Sequence, residues 1–215
     1  MLLDVETGRE TEVRTPYPVA GTLAWSPDGA KIVCALRPSN YGALLYDINL
    51  ADGTARALQE YNWTPGHRGG SQWVNAAWHP KRNAVFYATQ PLDAPQIWTV
   101  DAAGPRIAVQ MPLTRYRPED IVYLHSLSKI PDGSGLIYSA DVVNGKGNYE
   151  LYRVAAEGGK PAPITDTARD EFAPSVSPDG KRIAFFSNRM GNVDLFTVPI
   201  GGGEQTHVRL TGLKF

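Results

Sequence analysis

The sequence predicts an all-β fold, a β-propeller of four-stranded antiparallel blades. Three observations predict it: a turn that recurs about every 50 residues, four short strands inside each period, and a surplus of turn residues. The 215 residues include 21 glycines and 17 prolines, about 18% of the chain against an average nearer 12%. No stretch of more than about 15 residues is free of both, which excludes helical bundles and coiled coils. With 42% hydrophobic and 20% charged residues the chain can bury a core and is not disordered.

The marker is Ala24-Trp25-Ser26-Pro27-Asp28-Gly29. It returns as Val176-Ser177-Pro178-Asp179-Gly180 and, more weakly, as Ala77-Trp78-His79-Pro80-Lys81-Arg82-Asn83 and Lys129-Ile130-Pro131-Asp132-Gly133. Measured from Pro27 through Pro80 and Pro131 to Pro178, the steps are 53, 51 and 47 residues, a period of propeller blades rather than of helical repeats. Pro sets φ, Asp bonds back to nearby N–H groups and Gly takes the positive φ that closes a hairpin.

In chain order, residues 1–15 read as a half blade, because Leu2 to Arg14 resemble the third and fourth strands of a unit and nothing supplies its first two. Whole blades follow at about 20–58, 73–110, 122–165 and 171–211. In the last of these, Phe172 to Val176 is the first strand and Arg182 to Ser187 the second. Val193 to Ile200 is the third, Gly201-Gly202-Gly203 turns the chain, and Thr206 to Thr211 is the fourth. The second strands (32–36, 84–88, 135–139 and 182–186) are apolar on both faces, as sheets packed on sheets require. Each third strand carries an aromatic at one place, Tyr46, Trp98, Tyr152 and Phe196, suited to anchor sheet against sheet. Units two and three depart from the pattern, His79 to Asn83 losing both Asp and Gly, which predicts longer or differently shaped turns in these two units. Cys34, the single cysteine, lies in the apolar run Ile32 to Leu36 and reads as a packed core thiol.

The block Phe172-Ala173-Pro174-Ser175-Val176-Ser177-Pro178-Asp179-Gly180-Lys181-Arg182-Ile183-Ala184-Phe185, followed by Ser187-Asn188-Arg189 and Asp194-Leu195-Phe196, resembles the WD40-like repeat of the TolB propeller family (the PD40 type). The resemblance spans residues 20 to 211 and is strongest in the first and last units. It implies a β-propeller fold, a periplasmic or extracellular setting, and a role as binding module or as the propeller attached to a hydrolase. Closed propellers use whole blades, so the unmatched half blade leads us to expect an incomplete propeller and a piece of a longer protein.

In propellers, blade-to-blade connectors and the loops joining second to third strands share one face with the mouth of the central channel. Here that face would carry residues 15–21, 59–72, 111–122 and 166–172, with 37–42, 90–95, 141–148 and 188–192. Two connectors are longer than turn geometry requires and mix aromatic with charged residues, as binding loops on rigid sheets do. The expected ligand-binding residues are Trp63, His67, Arg68, Arg115, Arg117, Asp170 and Arg189. Aromatics stack on a ligand, and arginines hold anionic or hydroxyl-rich groups.

Other chemistry is not predicted. Lys+Arg 21 against Asp+Glu 22 gives a net charge of -1, which offers no general field for nucleic acid. No apolar run is long enough for membrane insertion, and Met1 to Glu6 is no signal peptide. The four histidines, His67, His79, His125 and His207, lack metal-ligand spacing, residues 141–150 miss the alternating oxygens of a calcium loop, and no metal or cofactor is expected. Nucleophile elbows and phosphate-binding loops are missing as well. The acidic pairs Glu119-Asp120 and Asp170-Glu171 sit beside Arg117 and Arg169 and read as mutually neutralised, solvated loops. The functional expectation is a non-catalytic propeller module for a protein or carbohydrate ligand, part of a larger bacterial protein. The alternative is the accessory propeller of a prolyl-oligopeptidase-type serine peptidase or metal-dependent amidohydrolase, whose catalytic domain would follow covalently.

Overall fold

The computed structural model describes residues 1–39, 42–58, 75–89, 96–102, 110–112, 122–142 and 147–208. Its half blade pairs β1 (Leu2–Leu3) with β2 (Glu10–Thr11). Four antiparallel four-stranded sheets follow. The first holds β3 (Val19–Trp25), β4 (Lys31–Ser39), β5 (Gly42–Asn49) and β6 (Ala55–Ala57), and the second β7 (Asn75–Trp78), β8 (Ala84–Thr89), β9 (Gln96–Asp101) and β10 (Gln110–Pro112). The third holds β11 (Val122–Lys129), β12 (Gly135–Val142), β13 (Glu150–Ala155) and β14 (Ala162–Pro163), and the fourth β15 (Glu171–Val176), β16 (Arg182–Ser187), β17 (Asp194–Pro199) and β18 (Thr206–His207). In each sheet the strands lie side by side in chain order. The predicted class, four whole blades and a half, is the observed one.

The core lies between blades. A strand's side chains alternate faces, so each second strand feeds two clusters. In β8, Val85 and Tyr87 join Val33, Ala35 and Leu45 of the first blade, whereas Phe86 and Ala88 join Leu136, Tyr138 and Ala140 of the third. In the next strand, Ile137 turns the other way onto Ile183, Phe185, Phe196 and Val198 of the fourth. The third-strand aromatics oppose second-strand residues, with Tyr152 across from Tyr138 and Phe196 across from Phe185. Both pairs stack, with ring centroids 5.7 and 6.0 Å apart. Cys34 is buried between the first blade and the half blade, and burial pushes its thiol up to about 11.

The two outermost faces differ from that scheme. On β16 the second face carries Phe186, 42% exposed, although the sequence reads as apolar on both sides because both would be covered. On β3, Val19, Leu23 and Trp25 are likewise exposed. Among the described residues no sheet lies over them.

The marker turn has one length throughout. A five-residue backbone bond closes it in every blade: Ser26 N–H to Lys31 O, His79 N–H to Ala84 O, Ile130 N–H to Gly135 O and Ser177 N–H to Arg182 O, at 2.8–2.9 Å. Ser177 Oγ donates to Asp179 Oδ1 and accepts from Arg182 N–H, while Asp179 Oδ1 accepts from Lys181 N–H, and Gly180 takes φ 71°. Of the two outcomes its sequence suggested, the second turn is not longer but is bonded differently, with Ala84 N–H donating to Arg82 O where the other turns carry a glycine N–H bond. Its imidazole replaces the missing cap, His79 Nδ1 accepting from Lys81 N–H at 3.1 Å and Arg82 N–H at 3.0 Å.

Candidate functional site

The start of β15, the end of β16 and the start of β13 meet at the end of the blades opposite the marker turns. Side chains from the third and fourth blades interlock there. Glu171 N–H donates to Tyr149 O at 2.7 Å, and Tyr149 N–H donates to Asp170 Oδ1 at 3.1 Å, which bonds the start of one blade to the third strand of its neighbour. Asp170 Oδ2 accepts from Asn188 Nδ2 at 2.8 Å, and Asn188 Oδ1 accepts from Asp170 N–H at 3.1 Å. Both oxygens of Asp170 are thus engaged within the protein.

Beneath this lies a buried polar chain. The Glu171 side chain is 0% exposed and pairs with Arg189 Nη2 at 2.7 Å. It also accepts from Ser187 Oγ and Thr167 Oγ1, each at 2.9 Å. Glu150, buried beside it, accepts from Thr165 Oγ1 at 2.6 Å, Thr167 N–H at 2.6 Å and Asn148 Nδ2 at 3.0 Å. Asn148 also donates to the Arg169 carbonyl at 2.8 Å. The Arg189 guanidinium carbon stands 4.5 Å from the centre of the Phe196 ring, so one cation serves a carboxylate and a π-face. Thr167 stands between the two carboxyls, its N–H donating to Glu150 and its Oγ1 to Glu171. Burial first, and the neighbouring Glu150 carboxyl second, push the Glu171 carboxyl up to about 7. Asp141 is raised too, by burial and then by the charge of Asp170.

Two buried carboxyls face one guanidinium here, so an ionised pair leaves one negative charge uncompensated. This corrects the expectation of a solvated loop. Glu171 is buried and pairs with Arg189, eighteen positions on, whereas the adjacent Arg169 is exposed and contributes its carbonyl. Strand geometry is the reason: as the first residue of β15, Glu171 points into the seam.

Of the predicted site residues, Asp170 and Arg189 are brought together at this seam. Trp63, His67, Arg68, Arg115 and Arg117 lie outside the described residues, as do Glu119 and Asp120. His79 is held in its turn and His207 lies on β18, 3.8 Å from Asp194 Oδ1. Among the described residues no three His, Cys, Asp or Glu are grouped to hold a metal ion. Sequence reasoning missed Glu150, Thr165 and Thr167. A glutamate opening the otherwise apolar strand Glu150-Leu151-Tyr152 was the available signal, since such a position is buried on both sides.

No family model matches the chain. Its similarity to solved structures covers nearly its whole length: it overlays TolB from Acinetobacter baumannii with a TM-score of 0.66 and 20% identity, over 92% of this chain and 45% of that one. The fold is that of a TolB-like β-propeller. The oligogalacturonate lyase of Vibrio parahaemolyticus gives a TM-score of 0.67 at 15% identity, over 98% of this chain and 59% of its own. Among curated proteins, this TolB-like propeller is 39% identical over 84 residues to "Dipeptidyl-peptidase 5" of Porphyromonas gingivalis, 36% of this chain and 12% of that protein. It is 32% identical over 65 residues to "Protein TolB homolog" of Chlorobium luteolum, 30% of this chain and 15% of that protein. The chain thus spans a minor part of the curated relatives it matches.

Proposed function

We propose that this TolB-like propeller is a non-catalytic binding module that takes a protein or carbohydrate ligand on its channel face, within a larger periplasmic or extracellular bacterial protein. The observation that carries the reading is the interlocked seam. Asp170 and Arg189 lie at that seam, on a base fixed by buried hydrogen bonds, which supports the reading because a rigid base under long loops is what a preorganised binding surface needs. In this reading Trp63, His67, Arg68, Arg115 and Arg117 reach the ligand from the loops, and Asp170 and Arg189 border it. Titration with an oligogalacturonate tests the carbohydrate arm, and a peptide array tests the protein arm. Replacing Trp63 and Arg115 together by Ala should weaken binding of the probe that responds by at least about tenfold, because two such anchors carry a disproportionate share of binding energy, with the melting temperature unchanged. Unchanged affinity would remove the site assignment.

A second reading is favoured by the identity with Dipeptidyl-peptidase 5: the propeller is the accessory domain of a hydrolase. The coding sequence on either side discriminates. A continuous hydrolase domain supports the second reading, and flanks that encode none support the first.

A further inference from the structure

We propose that Glu150 and Glu171 form a proton-operated latch between the third and fourth blades, closed while the two carboxyls share one proton and loosened when that proton leaves. The geometry is specific. Both side chains are buried, Thr167 bonds both of them, and every hydrogen-bond partner is a donor: Thr165, Thr167 and Asn148 for Glu150, and Ser187, Thr167 and Arg189 for Glu171. Two carboxylates have only acceptors and cannot bond to each other, so the pair closes on a proton. Removing it leaves two negative charges against the single cation of Arg189, out of water, where repulsion is strongest.

The latch spans the seam. Glu150 opens β13 of one blade and Glu171 opens β15 of the next, while Thr167, in the connector between them, bonds both carboxyls. Loosening the pair therefore releases the connector and the Tyr149–Glu171 backbone bond together.

Other charged groups surround it. Asp170 and the exposed Arg169 lie just before β15, Arg189 follows β16, and Asp141, next to last in β12, is near enough to be raised by Asp170. From β11, Ser126 and Ser128 meet β15 by accepting from Ala173 and Val176 N–H, and that strand also carries His125 and Lys129. On β17 and β18 stand Asp194 and His207. The two histidines need separate controls.

The sign follows from linkage. Glu171 holds its proton up to about 7 when folded, against an ordinary value of 4.5. The folded state binds the extra proton, so the stabilisation is fully present below the ordinary glutamate value and is lost as pH rises through about 7. Thermal and urea unfolding from pH 4.5 to 8.5 should show the unfolding constant rising by roughly tenfold per pH unit up to neutrality, then levelling. Hydrogen exchange at Tyr149 and Glu171, corrected for the intrinsic pH effect, should quicken over the same range. Glu150→Gln should flatten both profiles, because a neutral amide donates to Glu171 at every pH, whereas His125→Gln and His207→Gln should keep the wild-type slope. A flat wild-type profile, or a slope that persists in Glu150→Gln, overturns the latch. Should that variant not fold, infrared spectroscopy of the wild type decides. A protonated-carboxyl stretch that disappears on titration to pH 8.5 with a midpoint near 7 supports it, and its absence at pH 5.5 overturns it.

Discussion

Asp179 and Glu171 stand eight residues apart, one in the marker turn of the fourth blade and the other at the far end of β15. Their surroundings push their protons in opposite directions. Asp179 is in water and is held below the ordinary carboxylate range, by the hydrogen bond from Ser177 first and the Lys181 N–H second. Glu171 is out of water and beside a second carboxyl, and it is raised. The difference teaches how each end is built. The turn draws its bonds from within five residues and repeats from blade to blade. The seam draws most of them from partners fifteen to twenty-one residues apart, such as Thr165–Glu150 and Asn148–Arg169, with Thr167–Glu171 and Asn148–Glu150 as local additions. Turn carboxylates finish a local bend, whereas seam carboxylates join two blades.

The strongest way to break this contrast is to remove the cation of the seam. Arg189→Met keeps the length of the side chain and part of its packing on Phe196, but leaves the negative charge of the buried pair uncompensated. Breaking a buried pair from one side costs about 3 kcal/mol or more, so urea unfolding at pH 7 should show a loss of that order. A loss below about 1 kcal/mol, the scale of an exposed ion pair, would mean that Arg189 is not committed to the seam.

The turns should be less sensitive, and unequally so. Ser177→Ala removes one donor and one acceptor from an exposed turn and should cost about 1 kcal/mol. His79→Ala should cost more, about 2 kcal/mol, because His79 is buried and the Lys81 and Arg82 N–H groups lose their acceptor along with the ring's packing on Phe86, 5.4 Å away. Equal losses in the two variants, measured by urea unfolding under one buffer, would show that the imidazole only fills space.

The same contrast explains what was legible in the sequence. Blade number, strand order and the outer aromatics could be read because each recurs: Asp28, Asp132 and Asp179 sit in equivalent turns, and Tyr46, Trp98, Tyr152 and Phe196 hold equivalent places. Repetition exposes local rules. Whether the second turn would be longer or differently shaped stayed open, because a histidine ring can perform the capping that Ser and Asp perform elsewhere, and no rule of turn composition signals that. At the candidate site Asp170 and Arg189 were named from the loops that carry them, and both lie at the seam. Glu150 and Glu171 were not, because their partners come from another strand or another blade. A charge two residues before Glu171, Arg169, suggested the wrong partner, because it lies outside β15 with its side chain exposed and meets the seam through its backbone carbonyl.

The smallest effect expected lies on the acid side and tests the turn half of the comparison. Asp28, Asp132 and Asp179 are all held below the ordinary aspartate value by bonds within their own turns: Ser26 Oγ–H for Asp28, the backbone N–H of Ser134 for Asp132, and Ser177 Oγ–H for Asp179. A depressed carboxyl stabilises the fold above its unfolded value of 3.8, and the contribution is lost as pH falls through the folded value. This is opposite in sign to the seam, whose stabilisation fades as pH rises toward 7. Asp179→Asn keeps an acceptor oxygen for the Lys181 N–H but removes the charge. Its melting temperature should lie slightly below wild type at pH 5 and converge with it below pH 3, while the decline between pH 5 and pH 8 stays as steep as in the wild type. If the substitution altered the alkaline decline instead, the two ends of the blade would be coupled, and the division between a local turn and a cross-blade seam would have to be abandoned.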